Sequence, residues 1–463
     1  MGILLTGGTV VTAVDTYQAD VRLEGEQVAA IGHCITKAGD EVVDVSGCYL
    51  FPGGIDPHTH FDLPIGTMRT ADDFASGSKA ALIGGTTTII DYATQFRGES
   101  LQEGLNNWRK LAQDKCYVDY AFHMAITEWN DAVAREMESL VTEQGVTSFK
   151  LYMAYKNVLQ VDDGVLLSAF RQAARCGAIL CLHCENGDVI DTLVRQAVQQ
   201  GQTTPRYHSL TRPALVEEEA TRRAVLLAKM ANARLYVVHL TCTGALAAVR
   251  EAQNAGQPVY AETCPQYLLL DETYYNKAGF EGAKYVISPP LRSRDNQPEL
   301  WQGLINGTLQ SVATDHCSFN FIGQKDLGLH DFSKIPSGMP GVETRLSLLY
   351  TYGVADGRIN LNQFVALTAT NPAKIFGLYP RKGTIAVGSD ADITVWDPRY
   401  EGVISAKTQA QLVDYSPFEG FEQKGQAKYV YLRGRLVVAE GQLTSSQAGG
   451  QYLCRKPYST GEN

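Results

Sequence analysis

The chain has 463 residues, 44% hydrophobic and 19% charged, with a net charge of −10 and a pI near 5.5. That length accommodates one large barrel domain plus a smaller one, or two or three ordinary domains. The acidic balance, without any run of clustered Lys and Arg, excludes a nucleic-acid partner, and no apolar segment is long enough to cross a bilayer.

The first ten residues lack a basic region, and Gly7-Gly8 interrupts their apolar stretch. They read as a strand rather than a signal peptide, so a cytoplasmic protein without membrane contact is expected. Strands are predicted over 2–11, 20–23, 28–31 and 41–45, with turn residues between them. From residue 49 the pattern changes. Apolar β-rich runs at 49–55, 86–92, 118–126, 148–152, 178–183, 235–240, 259–263 and 311–314 alternate with helical periodicity at 100–112, 131–142, 163–176, 217–231 and 243–254. Asp131 and Asp163 are candidate helix caps. Eight such runs predict a (β/α)8 TIM barrel within the α/β class.

Strands return at 392–397, 428–432 and 435–439. One small β-sandwich built from both termini is more economical than two domains near the lower size limit for a core. The expected division is 1–52 and 379–445 for the sandwich and 53–378 for the barrel. Residues 446–463, rich in Gly, Ser and Gln, form a tail or arm. The ten cysteines lie mostly in apolar contexts and read as buried thiols, and Cys181 and Cys184 read as structural rather than as a separate zinc or haem motif.

Catalytic groups of a barrel sit at the C-terminal ends of its strands. His58 and His60 follow the first run and, two apart on an extended chain, share one face. Lys150 lies in the fourth run, His183 ends the fifth, His239 the sixth and Asp315 the eighth. Four histidines, a carboxylate and a lysine exceed the needs of one tetrahedral ion. They suit two divalent ions with a shared bridging ligand, zinc foremost, with manganese or cobalt also compatible. A protonated Lys150 would repel both ions. A neutral amine could instead take up carbon dioxide and become an anionic carbamate, N6-carboxylysine, with two bridging oxygens.

Several ordered stretches carry a resemblance: Gly53-Gly54-Ile55-Asp56-Pro57-His58-Thr59-His60, Phe149-Lys150-Leu151-Tyr152-Met153-Ala154-Tyr155, Glu262-Thr263-Cys264-Pro265-Gln266-Tyr267, Ser288-Pro289-Pro290-Leu291-Arg292, Ala313-Thr314-Asp315-His316 and Lys382-Gly383-Thr384. Over nearly its whole length the chain resembles the dihydropyrimidinase and hydantoinase group of the amidohydrolase superfamily. The resemblance implies that His58, His60, Lys150 and Asp315 hold one zinc, and that Lys150, His183 and His239 hold the other, with Lys150 as the carbamylated bridge. A metal-bridging hydroxide would then open a cyclic amide to an N-carbamoyl amino acid. Asp315 would move the proton from nucleophile to leaving nitrogen, and the Tyr155 hydroxyl would meet the oxyanion.

The same resemblance places Ser288 and Ser337 on the imide edge of the ring. Relatives carry Asn at 337. It gives Ile65, Tyr152 and Leu159 as the lining for the exocyclic group, which suits a 5-substituted hydantoin at least as well as dihydrouracil. Dihydroorotase-like relatives place an arginine where this chain has Asp62. A carboxylate-bearing substrate is therefore disfavoured, and nearby Asp72 and Asp73 point the same way. Allantoinase and a metal-free scaffold homologue are the alternatives. The resemblance further implies a homotetramer, with residues around 452–457 reaching a neighbour.

Overall fold

The computed structural model describes residues 2–458. Eight parallel strands form the barrel: β1 (Gly54–Thr59), β2 (Thr86–Thr94), β3 (Asp119–Ala125), β4 (Ser148–Tyr152), β5 (Ile179–His183), β6 (Arg234–Val237), β7 (Val259–Thr263) and β8 (Ser311–Val312), each bonded to the next in chain order. They read as near-continuous apolar and threonine runs because both faces are covered. Even β2, the longest, is buried at every position. Amphipathic helices such as Leu101–Ala112, Asp131–Gln144 and Asp163–Cys176 pack outside. The caps of the last two are Asn130 and Asp162, one residue before those predicted, because the side chain that accepts the first free N–H groups must precede the helix.

Two predicted strands prove to be pairs. The run 2–11 divides into Ile3–Thr6 and Thr9–Val11, which belong to different sheets. Gly7, at φ +74°, makes the turn between them. The run 49–55 likewise divides. Tyr49–Pro52 pairs antiparallel with Ile393–Val403, whereas β1 begins at Gly54. A side chain at Gly53 would collide with Thr87, so glycine is required where the chain passes from sandwich to barrel. β6 and β8 stop at Val237 and Val312, short of the predicted ends, because His239 and Asp315 adopt positive φ and leave the ladder.

The termini build the sandwich together. A four-stranded sheet holds Gln27–Gly32, Asp20–Glu24, Ile3–Thr6 and Glu41–Asp44, and a seven-stranded sheet joins Thr9–Val11, Thr16–Gln18 and Tyr49–Pro52 to four strands from beyond residue 392. Leu5, Val10, Val21, Leu50, Ile393 and Val395 form their shared core. Buried Lys382 ties sandwich to barrel through Asp392 and Asp119, each at 2.6 Å.

Two features close the barrel. At the β8–β1 seam the ladder narrows to one backbone bridge, His60 N to His316 O at 2.8 Å, and side chains supply the rest. Buried Arg345 donates to Ile55 O (2.9 Å) and Val312 O (3.0 Å), and Thr314 Oγ1 donates to Asp56 Oδ2 (2.6 Å). At the N-terminal end of the strands lies the tail. Its described residues run along this end as an intramolecular strap. Leu453 N donates to Tyr120 O, Arg455 N to Gly145 O and Tyr458 N to Gly177 O, while Leu453 joins the barrel's interior cluster. The last five residues, 459–463, lie outside the described residues.

Candidate active site

The six ligand candidates converge at the C-terminal mouth of the barrel. His58 Nε2 lies 3.2 Å from His60 Nε2 and 3.2 Å from Asp315 Oδ1, and His60 Nε2 lies 3.3 Å from the same oxygen. On the other side, His183 Nδ1 approaches His239 Nε2 to 3.0 Å. Lys150 projects into the same cavity from β4. Its Nζ stands 4.7 Å over the Tyr92 ring and 5.2 Å from that of Tyr152.

The protonation pattern follows from the partners behind each ring. His58 Nδ1 faces the Glu262 carboxylate, and His183 Nε2 donates to Glu185 Oε2 at 2.7 Å. Each histidine therefore keeps its hydrogen on the far nitrogen and aims a lone pair at the centre. Burial lowers the His58 and His239 imidazoles well below their ordinary value, so both are neutral. The lone pairs of His58 and His183 each face a second ring nitrogen, of His60 and His239, across 3.0–3.2 Å, and the buried Nδ1 atoms of His60 and His239 have no hydrogen-bond partner among the described residues. The donor set therefore fits divalent metal ions. Burial also lowers the Lys150 amine to about 8, against the opposing pull of Asp315. No carboxylate lies within ion-pair distance of it among the described residues.

Backbone strain is concentrated here. His239 (φ +37°), Asp315 (φ +52°) and Tyr155 (φ +67°) all occupy the left-handed region. Each such non-glycine residue costs on the order of 1 kcal/mol, which the surrounding fold supplies to re-aim these side chains into the mouth.

Above the ligands opens a cavity of about 910 Å³. Ile65, Tyr152, Tyr155, Leu159, Ser288 and Ser337 all line it. Ser288 Oγ and Ser337 Oγ are 3.4 Å apart on facing segments, and Tyr155 packs against His183 with ring centroids 5.0 Å apart. Leu63, Phe96, Val158 and Ile335 extend the apolar wall and were not foreseen. They lie on separate loops with no shared periodicity.

Glu185, Glu262, Tyr92 and His123 were also missed as parts of the site. Glu185 and Glu262 occupy places two residues past His183 and at the end of β7, yet nothing in their spacing marks a partner. Asp72 and Asp73, contrary to expectation, do not face the substrate space. Asp72 is buried under His316, Ser318 and Ser76, and Asp73 caps the helix Phe74–Ile83. Neither lines the cavity. Asp62 accepts from Phe74 N and also turns away, whereas Arg97 and Lys334 stand at the rim.

All ten cysteines are free thiols, with Cys181 and Cys184 buried in separate environments. No helix among the described residues is long and apolar enough to cross a membrane.

Comparison with known proteins agrees with this geometry. Residues 49–437 match the model of the amidohydrolase family. The D-hydantoinase of Geobacillus stearothermophilus is 50% identical over 455 residues, covering 98% of this chain and 97% of the relative. The dihydropyrimidinase of Rattus norvegicus is 42% identical, covering 98% and 89%. The crystal structure of dihydropyrimidinase from Brevibacillus agri NCHU1002 superposes with a TM-score of 0.98 at 50% identity, covering 99% of this chain and all of that one. The chain thus belongs to the amidohydrolase family and, within it, to the hydantoinase and dihydropyrimidinase group of enzymes that hydrolyse cyclic amides.

Proposed function

We propose that the protein opens the ring amide of 5-substituted hydantoins and dihydropyrimidines to N-carbamoyl amino acids. The observation that carries this reading is the meeting of His58, His60, Lys150, His183, His239 and Asp315 at the floor of one cavity with apolar walls. Its volume and lining suit a small ring with an alkyl or aryl substituent. A metal-free scaffold role would leave six converging polar side chains, five of them buried and two on strained backbone, without a purpose.

His58, His60 and Asp315 would hold one zinc ion and His183 and His239 a second, with Lys150 as N6-carboxylysine between them. Such ions acidify water and polarise a ring carbonyl. The low-lying Lys150 amine supports carbamylation, because only the neutral form attacks carbon dioxide.

Burial pushes the Asp315 carboxyl up, but His58 and His60 outweigh it and leave the group below the usual carboxylate value. It is thus an ionised base able to take a proton from water and return it to the leaving ring nitrogen. Burial holds the Tyr155 hydroxyl protonated, as an oxyanion donor must be. Ser288 and Ser337 meet the imide edge of the ring, and Ile65, Tyr152 and Leu159 receive the exocyclic group.

The test is a parallel assay of dihydrouracil, allantoin and both enantiomers of 5-phenylhydantoin. Carbamoyl products from the hydantoin or dihydrouracil are expected, and ring opening of allantoin alone overturns the choice. Native mass spectrometry should find one added carbon dioxide on Lys150, and Lys150→Ala with full metal and activity would overturn that assignment. We further read the protein as a cytoplasmic homotetramer. The free cysteines support a reducing compartment, and sedimentation measures the assembly.

A further inference from the structure

Lys325 is the least expected charged group in the molecule. It is fully buried on the loop after β8, and none of the ion pairs among the described residues includes it. The Cys317 thiol is the ionisable group that acts on its charge, and burial brings its amine down to about 7. A buried amine without a counter-ion is costly, and a methionine would pack there at less expense. Its hydrogen bonds account for its presence. Nζ donates to Val286 O and to Pro336 O, both at 3.0 Å.

Those two carbonyls belong to the segments that present Ser288 and Ser337 from opposite sides of the cavity. Val286 O also accepts Gly338 N at 3.0 Å, so both its lone pairs join the two segments. His208 Nε2 holds the next carbonyl, Ile287 O, at 2.7 Å. His208 lies outside the cavity, as does Lys325 itself.

We infer that Lys325 is a positioning residue for substrate binding: it clamps the 286–288 and 336–338 backbones at the separation that a cyclic imide edge needs. This rests on the assignment of Ser288 and Ser337 to that edge. Without the amine, Pro336 O loses its donor and Val286 O keeps only Gly338 N, so the segments are freer to separate. The metal ligands have no bond to Lys325, so chemistry at the ions should survive its loss while ring affinity does not.

The test compares wild type, Lys325→Met and Lys325→Gln as metal-loaded enzymes, with the preferred ring of the wild type as substrate. Lys325→Met should raise KM about tenfold or more, with kcat within about threefold of wild type and metal per chain unchanged. Lys325→Gln, which keeps an N–H donor, should fall between. An unchanged KM in Lys325→Met overturns the inference, as does a loss of activity that tracks lost metal. Should Lys325→Met fail to fold, His208→Phe decides. It frees the Ile287 carbonyl and should raise KM in the same direction, and an unchanged KM there counts against the clamp. A wild type inert toward every cyclic imide would instead refute the functional reading, before any variant is made.

Discussion

Glu262 and Glu185 stand behind His58 and His183, and each fixes which ring nitrogen is free to bind a cation. Replacing either by Gln exchanges the carboxyl group for an amide but keeps the shape, so the imidazole's tautomer is less well held. We expect Glu185→Gln and Glu262→Gln each to weaken metal affinity by about 10- to 100-fold, read by competition with a chelator. Lys325 offers a second prediction. Its amine is near 7 in the fold and 10.5 unfolded, so between those values the unfolded chain binds more protons. Stability of the wild type relative to Lys325→Met should therefore rise as pH goes from about 7 to 10. Thermal melts of both proteins across that window check the sign, and a falling difference would contradict it.

Among the elements, the β8–β1 seam is the weakest part of the barrel ladder. β8 has only two residues, and the connection passes through Arg345, Asp56 and Thr314. Arg345→Met strips two backbone carbonyls of a donor and leaves fully buried Asp56, 3.9 Å away, without its cation. A loss of about 3–5 kcal/mol in chemical denaturation is expected. The terminal strap is the other critical element. Arg455 reaches inward to Ser148 Oγ at 2.7 Å, Ser148 contacts His123 Nδ1 at 2.5 Å, and His123 Nε2 donates to Pro57 O at 2.9 Å, just before His58. Truncation after Thr444 uncovers Leu453's place in the interior and breaks this chain of bonds. A clearly lower melting temperature and reduced metal content are expected, whatever the assembly state. An unchanged melt would show that the strap contributes nothing.

For the whole molecule, bound metal and the fold would stabilise each other, because the candidate ligands on β1, β4 and β5 and on the segments after β1, β6 and β8 meet only when the barrel is closed. Ions that bind the native state alone shift the folding equilibrium toward it. Removal of metal with a chelator should lower the melting temperature, and restoring zinc should return it. The barrel periodicity, the two-terminus sandwich and all six ligand candidates were legible in the residues, because alternation, strand-end position and ligand chemistry are local properties written along the chain. Less visible was where strands end or divide. Gly7, Gly53, His239 and Asp315 break them through backbone angles that depend on what packs opposite. The carboxylates behind the histidines, the Lys325 clamp, the loops of the cavity wall and the inward course of the tail were decided only by the tertiary structure. Each is a contact between residues tens to hundreds of positions apart, and a buried charge shows its purpose only once its distant partner is in place.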